Sequence, residues 1–336
     1  MLEKPSIPDE LIISRVQEEY DLRVSELTFL PIGADSRTAV YRVVSDESIA
    51  YFLKLRKNFD EVIVRVPLFL KESGVDAVLV PLETTSQQHW ADFGEYTIIL
   101  YPYIEGKNGF DIELTNRHRR QLGNAFHAIH TASVPLELKS QVRKESFDLG
   151  WRSAMRKYQS QVEKDIFTDL TAAKLADFIR SKQGEITRIL QCSDQLAGKL
   201  RSMNWEFVLC HSDIHGGNIL VGDTGELYVV DWDDPILAPK ERDLMFIGGG
   251  IDNLWKSEEQ IEMFYQGYGN VQQIDPTALA YYRYERVIED LVVICDLLLP
   301  TDEGGEDRER SYGWFTNNFE PGQTIEIADR TAQSIP

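Results

Sequence analysis

The hydrophobic pattern of the chain changes near Tyr103. Before it, short runs rich in β-branched and aromatic residues alternate with turn sequences such as GADS (33–36), a pattern typical of strands joined by tight turns. The predicted strands are 27–31, 39–44, 50–55, 77–82 and 95–101, and helical spacing predicts helices over 10–20 and 60–73. The first part of the chain is therefore predicted to be a small, mostly antiparallel sheet with one helix packed on it.

After Tyr103 the apolar residues recur at helical spacing. The predicted elements are helices over 115–130, 147–162 and 171–190, a strand pair over 218–221 and 227–231, and a solvated loop over 301–310. Residues 105–111, which contain Gly106 and Gly109, are predicted to form a connector. The pattern as a whole predicts an α+β protein with two lobes, 1–104 and 105–336.

Charge narrows the classes of partner. The chain has 35 basic and 55 acidic residues among 336, for a net charge of −20. Such a surface repels phosphate backbones and anionic membranes, so we expect no nucleic-acid partner and no membrane partner. Three scattered cysteines, no apolar leader and no run of roughly 20 apolar residues predict a cytoplasmic protein.

The segment LCHSDIHGGNILVGDTGELYVVDWDDP (209–235) carries the candidate chemistry. Asp213 is followed by Asn218 in the pattern His-x-Asp-x-x-x-x-Asn, and Asp231 follows in DWDD. If residues 223–226 form a hairpin loop, Asn218 opposes Asp231, with Cβ atoms about 4.5–5.5 Å apart. An amide oxygen and a carboxylate at that separation can share Mg²⁺, which leaves Asp213 to receive the proton of an attacking hydroxyl. The pattern predicts phosphoryl transfer.

The same segment permits a second chemistry. His211, Asp213 and His215 alternate, so on a strand they would share a face and could bind a transition metal. His127 and His130, at helical spacing, could join them, although helix packing is the preferred interpretation for this pair. A metallohydrolase therefore remains an alternative.

A phosphotransferase also needs a cation for the nucleotide phosphates. In YFLKLR (51–56), Lys54 lies on a predicted strand with Leu53 and Leu55 on the opposite face. A buried lysine needs an anionic partner, and we expect Glu61 in the next helix, with Glu72 as the alternative. A lysine on an exposed edge strand is the structural alternative.

Two further segments are candidates for binding ATP. The turn GADSRTAVYRV (33–43) could cover phosphates through Asp35 and Ser36, although it could equally be a plain hairpin. ILYPYIEG (99–106), with Tyr101 and Tyr103, would offer backbone N–H and C=O groups to an adenine.

These residues resemble the aminoglycoside phosphotransferase family, whose members have a protein-kinase-like fold. The matching stretches are FLKL, LGNAFHAIH, LCHSDIHGGNILV, VVDWDDPILAPKERDLMFIGGG and YYRYERVIEDL. The resemblance implies ATP-dependent phosphorylation of a hydroxyl on an aminocyclitol antibiotic, with spectinomycin as the expected substrate and resistance as the outcome. It implies Asp213 as base, Asn218 and Asp231 as Mg²⁺ ligands, and Lys54 on the phosphates. Ser212 replaces the more usual glycine, with little expected effect.

A cationic aminocyclitol calls for an acidic site. On a helix, YYRYERVIEDL (281–291) would bury one stripe and present acidic residues beside it. The predicted buried residues are Tyr284, Val287, Ile288 and Leu291, and the predicted substrate-binding residues are Glu285, Glu289, Asp290, Asp233 and Asp234. Ordinary surface ion pairs are the alternative interpretation of these acids.

Other functions remain open at this stage. The runner-up is a kinase of another small hydroxyl compound, of the choline, homoserine or sugar type, with the same fold. A nucleotide-binding protein without activity is disfavoured, because Asp213, Asn218 and Asp231 are all present.

Overall fold

The computed structural model describes residues 4–32, 37–251, 254–269, 273–300 and 305–335, with the backbone alone at 305 and 306. The chain forms two compact units. Unit 1 comprises residues 1–112, 132–142 and 217–235, and unit 2 comprises 113–131, 143–216 and 236–336. The predicted lobe boundary after residue 104 stays a prediction.

Unit 1 is built on a five-stranded antiparallel sheet in the order β1-β2-β3-β5-β4. Its elements are α1 (Asp9–Tyr20), β1 (Val24–Leu30), β2 (Thr38–Ser45), β3 (Ala50–Lys57), α2 (Val62–Glu72), β4 (Ala91–Phe93) and β5 (Tyr96–Pro102). The alternation predicted for β3 is confirmed, since Leu53 and Leu55 are fully buried in one core cluster with Ile12 and Val16 of α1. On α2, Ile63 and Val64 belong to a second cluster with Ile99 of β5. The sheet therefore has helical cover from two elements where one was predicted.

A second, three-stranded sheet of unit 1 brings distant segments together. Its order is β10-β9-β6, with β6 (Gly106–Asn108), β9 (Ile219–Gly222) and β10 (Leu227–Val229), and α4 (Leu136–Gln141) completes the unit. A Cβ atom on Gly106 would lie 2.2 Å from the Val221 carbonyl oxygen, so only glycine allows this approach of β6 to β9. Part of the segment predicted as a connector is thus a strand.

Unit 2 is mainly helical. Its helices are α3 (Asn116–Thr131), α5 (Gly150–Lys164), α6 (Leu170–Ser181), α7 (Gln183–Arg201), α8 (Glu241–Leu244), α9 (Glu258–Tyr268), α10 (Pro276–Leu298), α11 (Gly305–Asn317) and α12 (Thr324–Gln333). A small sheet joins β7 (Arg143–Lys144), β11 (Ile236–Ala238) and β8 (Val208–Cys210) in that order. The mixed α+β fold, with an antiparallel N-terminal sheet and a mostly helical C-terminal part, confirms the predicted fold class.

The 23-residue α10 forms the centre of unit 2. Asp275 caps its N-terminus by accepting hydrogen bonds from the N–H groups of Thr277 and Ala278, and Pro276 fits the first turn, where no N–H partner is needed. The predicted buried stripe is confirmed: Tyr284, Val287, Ile288 and Leu291 are all buried. This helix therefore holds its polar side chains in fixed directions.

Three sequence-based predictions of secondary structure were wrong. Residues 77–82 form no strand and contribute one isolated bridge, from Val78 to Val229. The helix predicted over 171–190 is broken at Lys182, where φ is −104° and ψ is 10°. Residues 305–310 are helical because Arg308 is buried and ion-pairs with Asp169 at 2.6 Å, a tertiary contact invisible in the sequence pattern.

None of the helices in the described ranges is long and apolar enough to cross a bilayer.

Candidate active site

The hairpin formed by β9 and β10 differs by one residue from the predicted register. Val229 pairs with Ile219, so Asn218 opposes Val230 and its carbonyl accepts the Val230 N–H. The reason is the loop, which has three residues rather than four: the Gly222 N–H donates to the Glu226 carbonyl, and Gly225 has a φ of 91°. The predicted pairing of Asn218 with Asp231 was therefore wrong.

Asp231 nevertheless has a distinct backbone. It lies just beyond β10 with a φ of 66°, a left-handed conformation that is uncommon for residues other than glycine. This turn ends the hairpin pairing and redirects the chain. The Asp231 side chain is 48% exposed and its Oδ1 lies 2.7 Å from the Lys54 Nζ.

Lys54 is held between two carboxylates of unit 1. Its side chain is only 9% exposed, and its Nζ lies 2.7 Å from Asp231 Oδ1 and 2.5 Å from Asp233 Oδ1. Arg56, two residues along β3, ion-pairs with the other oxygen of Asp233. Burial lowers the pKa of Lys54, but the two carboxylates outweigh it and raise that pKa above its ordinary value, so the lysine stays charged.

This arrangement corrects two predictions. Glu61 was expected to pair with Lys54, but it is exposed at the N-terminus of α2, and the carboxylates bonded to Lys54 are those of Asp231 and Asp233. Glu72, the alternative, is exposed at the end of the same helix. Asp233 was expected to meet a substrate ammonium, but its two oxygens contact Lys54 and Arg56. Asp234 is exposed beside it and stays a prediction.

The remaining nucleotide-binding predictions fall on β5, on the residue that follows it and on one turn. Tyr101 opposes Phe52 across the sheet, and burial raises the pKa of its hydroxyl above the ordinary value. Tyr103 is partly buried, with the Arg42 guanidinium carbon 5.2 Å from its ring centre. Asp35 and Ser36 lie outside the described residues, so the phosphate-covering turn stays a prediction.

The donors of Asn218 and Asp231 suit Mg²⁺. Both side chains offer hard oxygen ligands, and the half-exposed Asp231 carboxylate is oriented by Lys54 through one oxygen. Asn218 is buried immediately before β9. The chemistry of this donor set fits the predicted cofactor.

In unit 2, a carboxylate with no exposed surface fixes the loop that carries Asp213. Asp243 accepts hydrogen bonds from the N–H groups of His211 (2.9 Å) and Ser212 (2.7 Å), and from His130 Nε2 (2.9 Å). Ser212 has a φ of 74°, which explains why glycine is the more usual residue here. A serine is therefore held in a strained backbone conformation next to the predicted base.

The Asp213 side chain is 42% exposed and has two close neighbours, the Arg286 guanidinium and the His215 imidazole. Its Oδ1 lies 2.7 Å from Arg286 Nη1 and its Oδ2 lies 3.4 Å from His215 Nε2. Burial raises its pKa, but the hydrogen bond from His215 and the charge of Arg286 outweigh that effect and bring the pKa well below the ordinary value. Asp213 is therefore ionised at neutral pH, as a proton acceptor must be.

The predicted alternative metal site is not formed. In the described part of the chain, one group of three His, Cys, Asp or Glu residues has its ligand atoms within 4.8 Å of one another, and it consists of His130, Cys210 and Asp243. Asp243 already accepts three hydrogen bonds there, and His130 Nδ1 lies 2.9 Å from the Tyr268 hydroxyl. His130 thus packs within unit 2, as preferred from the sequence, and the metallohydrolase alternative loses its support.

The acidic residues predicted on α10 divide into two groups. Glu285 is buried, its Oε1 lies 2.5 Å from Ser193 Oγ and 3.3 Å from Arg152 Nη1, and burial raises its pKa to about 7 despite these partners. Because it is enclosed by protein groups, its predicted contact with a substrate ammonium was wrong.

Glu289 and Asp290 are partly exposed. Glu289 lies 3.8 Å from Arg242, and Asp290 Oδ1 lies 2.9 Å from Arg286 Nε. The carboxylate of Asp290 is therefore separated from that of Asp213 by a single guanidinium. These two residues stay candidates for substrate binding.

Sequence reasoning missed Arg56, Asp243 and Arg286. Arg56 had an accessible signal, because it follows Lys54 by two residues and so projects from the same face of β3. The i, i+4 spacing of Arg286 and Asp290 pointed to an ion pair between them, which the structure contains. The contact of Arg286 with Asp213, 73 residues away, and the contacts of Asp243 join distant segments and could not be read from local spacing.

Comparison with known proteins identifies the family of the chain. The model of the phosphotransferase enzyme family (APH) matches residues 26–282. The structure of spectinomycin phosphotransferase, APH(9)-Ia, in complex with ADP and spectinomycin is 36% identical, covers 98% of this chain and 100% of its own, and superposes with a TM-score of 0.90. Its AMP-bound complex is 35% identical, covers 95% and 98%, and has a TM-score of 0.84. Among curated proteins, none matches the chain.

More distant structures share the fold alone. Amicoumacin kinase hAmiN, in complex with AMP-PNP, Ca²⁺ and Ami, is 16% identical, covers 98% of this chain and 96% of its own, and has a TM-score of 0.61.

The chain belongs to the phosphotransferase enzyme family. It is an enzyme of the aminoglycoside phosphotransferase type, a kinase with a protein-kinase-like fold.

Proposed function

We propose that this kinase transfers the γ-phosphoryl group of ATP to a hydroxyl of spectinomycin and so gives resistance to that antibiotic. The observation that carries the proposal is the 36% identity over essentially the whole of both chains to a spectinomycin phosphotransferase solved with ADP and spectinomycin. The conformation of Asp213 and the pairing of Lys54 with Asp231 support the chemistry.

The residues of unit 1 hold the nucleotide in this proposal. Lys54, kept charged by its carboxylate neighbours, binds phosphate oxygens, while Asn218 and Asp231 hold Mg²⁺. Backbone groups of the segment around Tyr101 and Tyr103 bind the adenine. When bound, Mg²⁺ and ATP supply the phosphoryl group and offset its negative charge.

The residues of unit 2 hold the acceptor. Asp213 accepts a hydrogen bond from the acceptor hydroxyl, orients it for attack and receives its proton. Spectinomycin carries two amines that are cationic near neutral pH. Asp290, which shares Arg286 with Asp213, offers a partly exposed carboxylate, and Glu289 offers another on the same helix. The net charge of −20 favours the same class of ligand.

The direct test measures ADP formation from ATP by the purified chain against a panel of hydroxyl compounds. The panel contains spectinomycin, other aminoglycosides, choline, homoserine and simple sugars, and Asp213→Asn protein is the matched control. We expect ADP formation that depends on spectinomycin and is lost in the control. Turnover with another panel member and none with spectinomycin would overturn the substrate assignment and favour a metabolite kinase.

A further inference from the structure

Arg286, on α10, contacts the carboxylate to which the proposed function assigns the acceptor proton. Its Nη1 lies 2.7 Å from Asp213 Oδ1, and its side chain is only 17% exposed. The guanidinium carbon also lies 5.3 Å from the ring centre of Phe246, a buried side chain just after α8. Three protein groups from three segments thus fix one guanidinium.

The third of these groups is Asp290, one turn further along α10. Its Oδ1 lies 2.9 Å from Arg286 Nε, so the guanidinium contacts Asp290 and Asp213 through two different nitrogens. An arginine side chain loses rotamer entropy when a contact fixes its guanidinium in one position. With Asp290 and Phe246 in place, most of that loss has already occurred before Arg286 meets Asp213.

Asp213 itself is attached to a loop whose backbone is fixed by Asp243. Rotation about its side-chain bonds is the freedom that the backbone leaves. Arg286 restricts this rotation by donating to Oδ1 at 2.7 Å, whereas the contact of Oδ2 with His215 is longer, at 3.4 Å. The shorter contact with Arg286 therefore contributes most to the direction of Oδ2. Proton acceptance requires one carboxylate oxygen within hydrogen-bond reach of the acceptor hydroxyl, so the direction of Oδ2 matters for the reaction.

We propose that Arg286 is a positioning residue for Asp213, which it holds, together with Asp290, in the one orientation that serves the acceptor hydroxyl. The proposal rests on the phosphotransfer function assigned above. It goes beyond that function because it gives a residue outside the motif, on α10, a defined part in the chemical step. The competing explanation is that the ion pair only packs α10 against the loop.

Electrostatics adds a measurable consequence. Among the described residues, the charged and titratable groups that face Asp213 include Arg286, with Asp290 behind it, and His211 and His215 on its own loop. Arg286 is one of the charges that lower the pKa of Asp213. Removing it raises that pKa, so the carboxylate becomes protonated, and turnover falls, at a higher pH than in the parent.

The variants are Arg286→Met, which keeps an apolar side chain of similar length, and Arg286→Lys, which keeps the positive charge but lacks the planar guanidinium. Arg242→Met is the matched control, because Arg242 also lies over an aromatic ring (Tyr282, 5.7 Å) and near an acid of α10 (Glu289, 3.8 Å). We expect Arg286→Met to lower kcat by about 10- to 100-fold, the size of effect that misplacing a reacting group by ~1 Å produces. The KM for ATP should stay within about twofold, because Arg286 belongs to the acceptor chemistry.

The pH profile of kcat separates positioning from packing. For Arg286→Met the acidic limb should move to higher pH, while Arg242→Met, although destabilised, should keep the parental limb. Arg286→Lys should keep the limb near that of the parent with a reduced kcat. If Arg286→Met does not fold, a parental kcat in Arg286→Lys overturns the proposal.

A double-mutant cycle in the free energy of unfolding tests the contact between Arg286 and Asp213 without measuring turnover. The free energies of unfolding of the parent, Arg286→Met, Asp213→Asn and the double variant give the coupling between the two residues. Coupling together with the shifted limb supports the proposal; coupling with an unshifted limb, or equal shifts in both arginine variants, overturns it. If the parent is active and Arg286→Met keeps the parental pH profile of kcat, this inference alone is overturned. If the parent shows no phosphotransfer, the proposed function is overturned and the inference with it.

Discussion

Two cations are each held between two carboxylates, one in each unit. Lys54 lies between Asp231 and Asp233, and Arg286 lies between Asp213 and Asp290. In both cases one carboxylate has a predicted role in the reaction, and the second fixes the cation. A buried cation with two anionic partners is far less costly than an unpaired one. At Asp213 the charge of Arg286 also lowers the pKa of the carboxylate.

At the same scale, Asp213 is predicted to act on the acceptor and not on the nucleotide. Asp213→Asn keeps the shape of the side chain and can still accept a hydrogen bond from Arg286, but it cannot take a proton. We expect kcat to fall by about 10²- to 10⁴-fold with ATP affinity within about twofold of the parent. Steady-state kinetics and a nucleotide-binding titration measure the two quantities. A variant with kcat within about threefold of the parent would show that Asp213 is not the base.

Glu285 predicts the direction in which the stability of the protein changes with pH. Burial raises its pKa from 4.5 to about 7, so the folded state favours the protonated form more than the unfolded state does. The stability that this provides is fully present below pH 4.5 and is lost as the pH rises through about 7.

Glu285→Gln removes this titration while keeping the hydrogen-bonding shape beside Ser193 and Arg152. Between pH 5 and 8, we therefore expect the free energy of unfolding of the parent to fall relative to the variant by up to about 3 kcal/mol. Denaturant unfolding at several pH values measures it, and the difference between the two proteins cancels other titrating groups. A constant difference across this range would contradict the prediction. The KM for the acceptor should not change, because Glu285 is enclosed by protein groups.

At the scale of elements, α3 and α9 approach each other through a reciprocal pair of glycines. A Cβ atom on Gly123 would lie 2.0 Å from the Phe264 carbonyl oxygen, and one on Gly267 would lie 2.1 Å from the Arg120 carbonyl oxygen. At both positions the added Cβ atom would clash with backbone atoms, so the clash cannot be relieved by moving a side chain. This packing also brings Tyr268 of α9 to His130 of α3, which binds the carboxylate that anchors the Asp213 loop.

We expect Gly123→Ala to lower the free energy of unfolding by about 1–3 kcal/mol or more, because the overpacked helices must separate. Gly198→Ala is the control: a Cβ atom on Gly198, in α7, would meet no atom within 4 Å, so alanine there should stabilise the protein by about 0.5–1 kcal/mol. Thermal or denaturant unfolding distinguishes the two. Equal effects of both substitutions would mean that the close helix approach contributes nothing to stability.

Elements with a strong hydrophobic period were predictable from the sequence, and elements set by tertiary contacts were not. The buried stripe of α10 and the alternation around Lys54 follow from local spacing, and both are observed. The hairpin register was wrong by one because the left-handed Gly225 shortens the loop, and α11 was missed because Arg308 is stabilised by Asp169, far away in sequence.

The candidate site shows the same division. The motif placed Asp213, Asn218 and Asp231 in one short segment, since their spacing is local. The partner of Lys54 was sought in the adjoining helix, at Glu61, whereas Asp231 lies 177 residues away. A single sequence shows that a buried lysine needs an anion, but only the folded chain shows which one.

At the scale of the whole molecule, the charge of −20 has opposite consequences for the two substrates of the proposed function. A dication such as spectinomycin would be attracted and ATP would be repelled, and the range of both effects depends on ionic strength. The Debye length is about 30 Å at 0.01 M and about 8 Å at 0.15 M ionic strength, so salt removes long-range effects while leaving close contacts.

We therefore expect the KM for spectinomycin to rise roughly two- to tenfold between those ionic strengths, while the KM for ATP stays constant or falls. Repeating the titration with a second potassium salt separates screening from specific ion binding. Asp290→Asn tests the effect of one local charge. It should raise the KM for spectinomycin at every ionic strength. The dependence of that KM on ionic strength should be almost unchanged, because the substitution removes one negative charge from a net of −20. If both Michaelis constants rose together, salt would be acting on the fold or on kcat, and attraction by the acidic surface would play no part in acceptor binding.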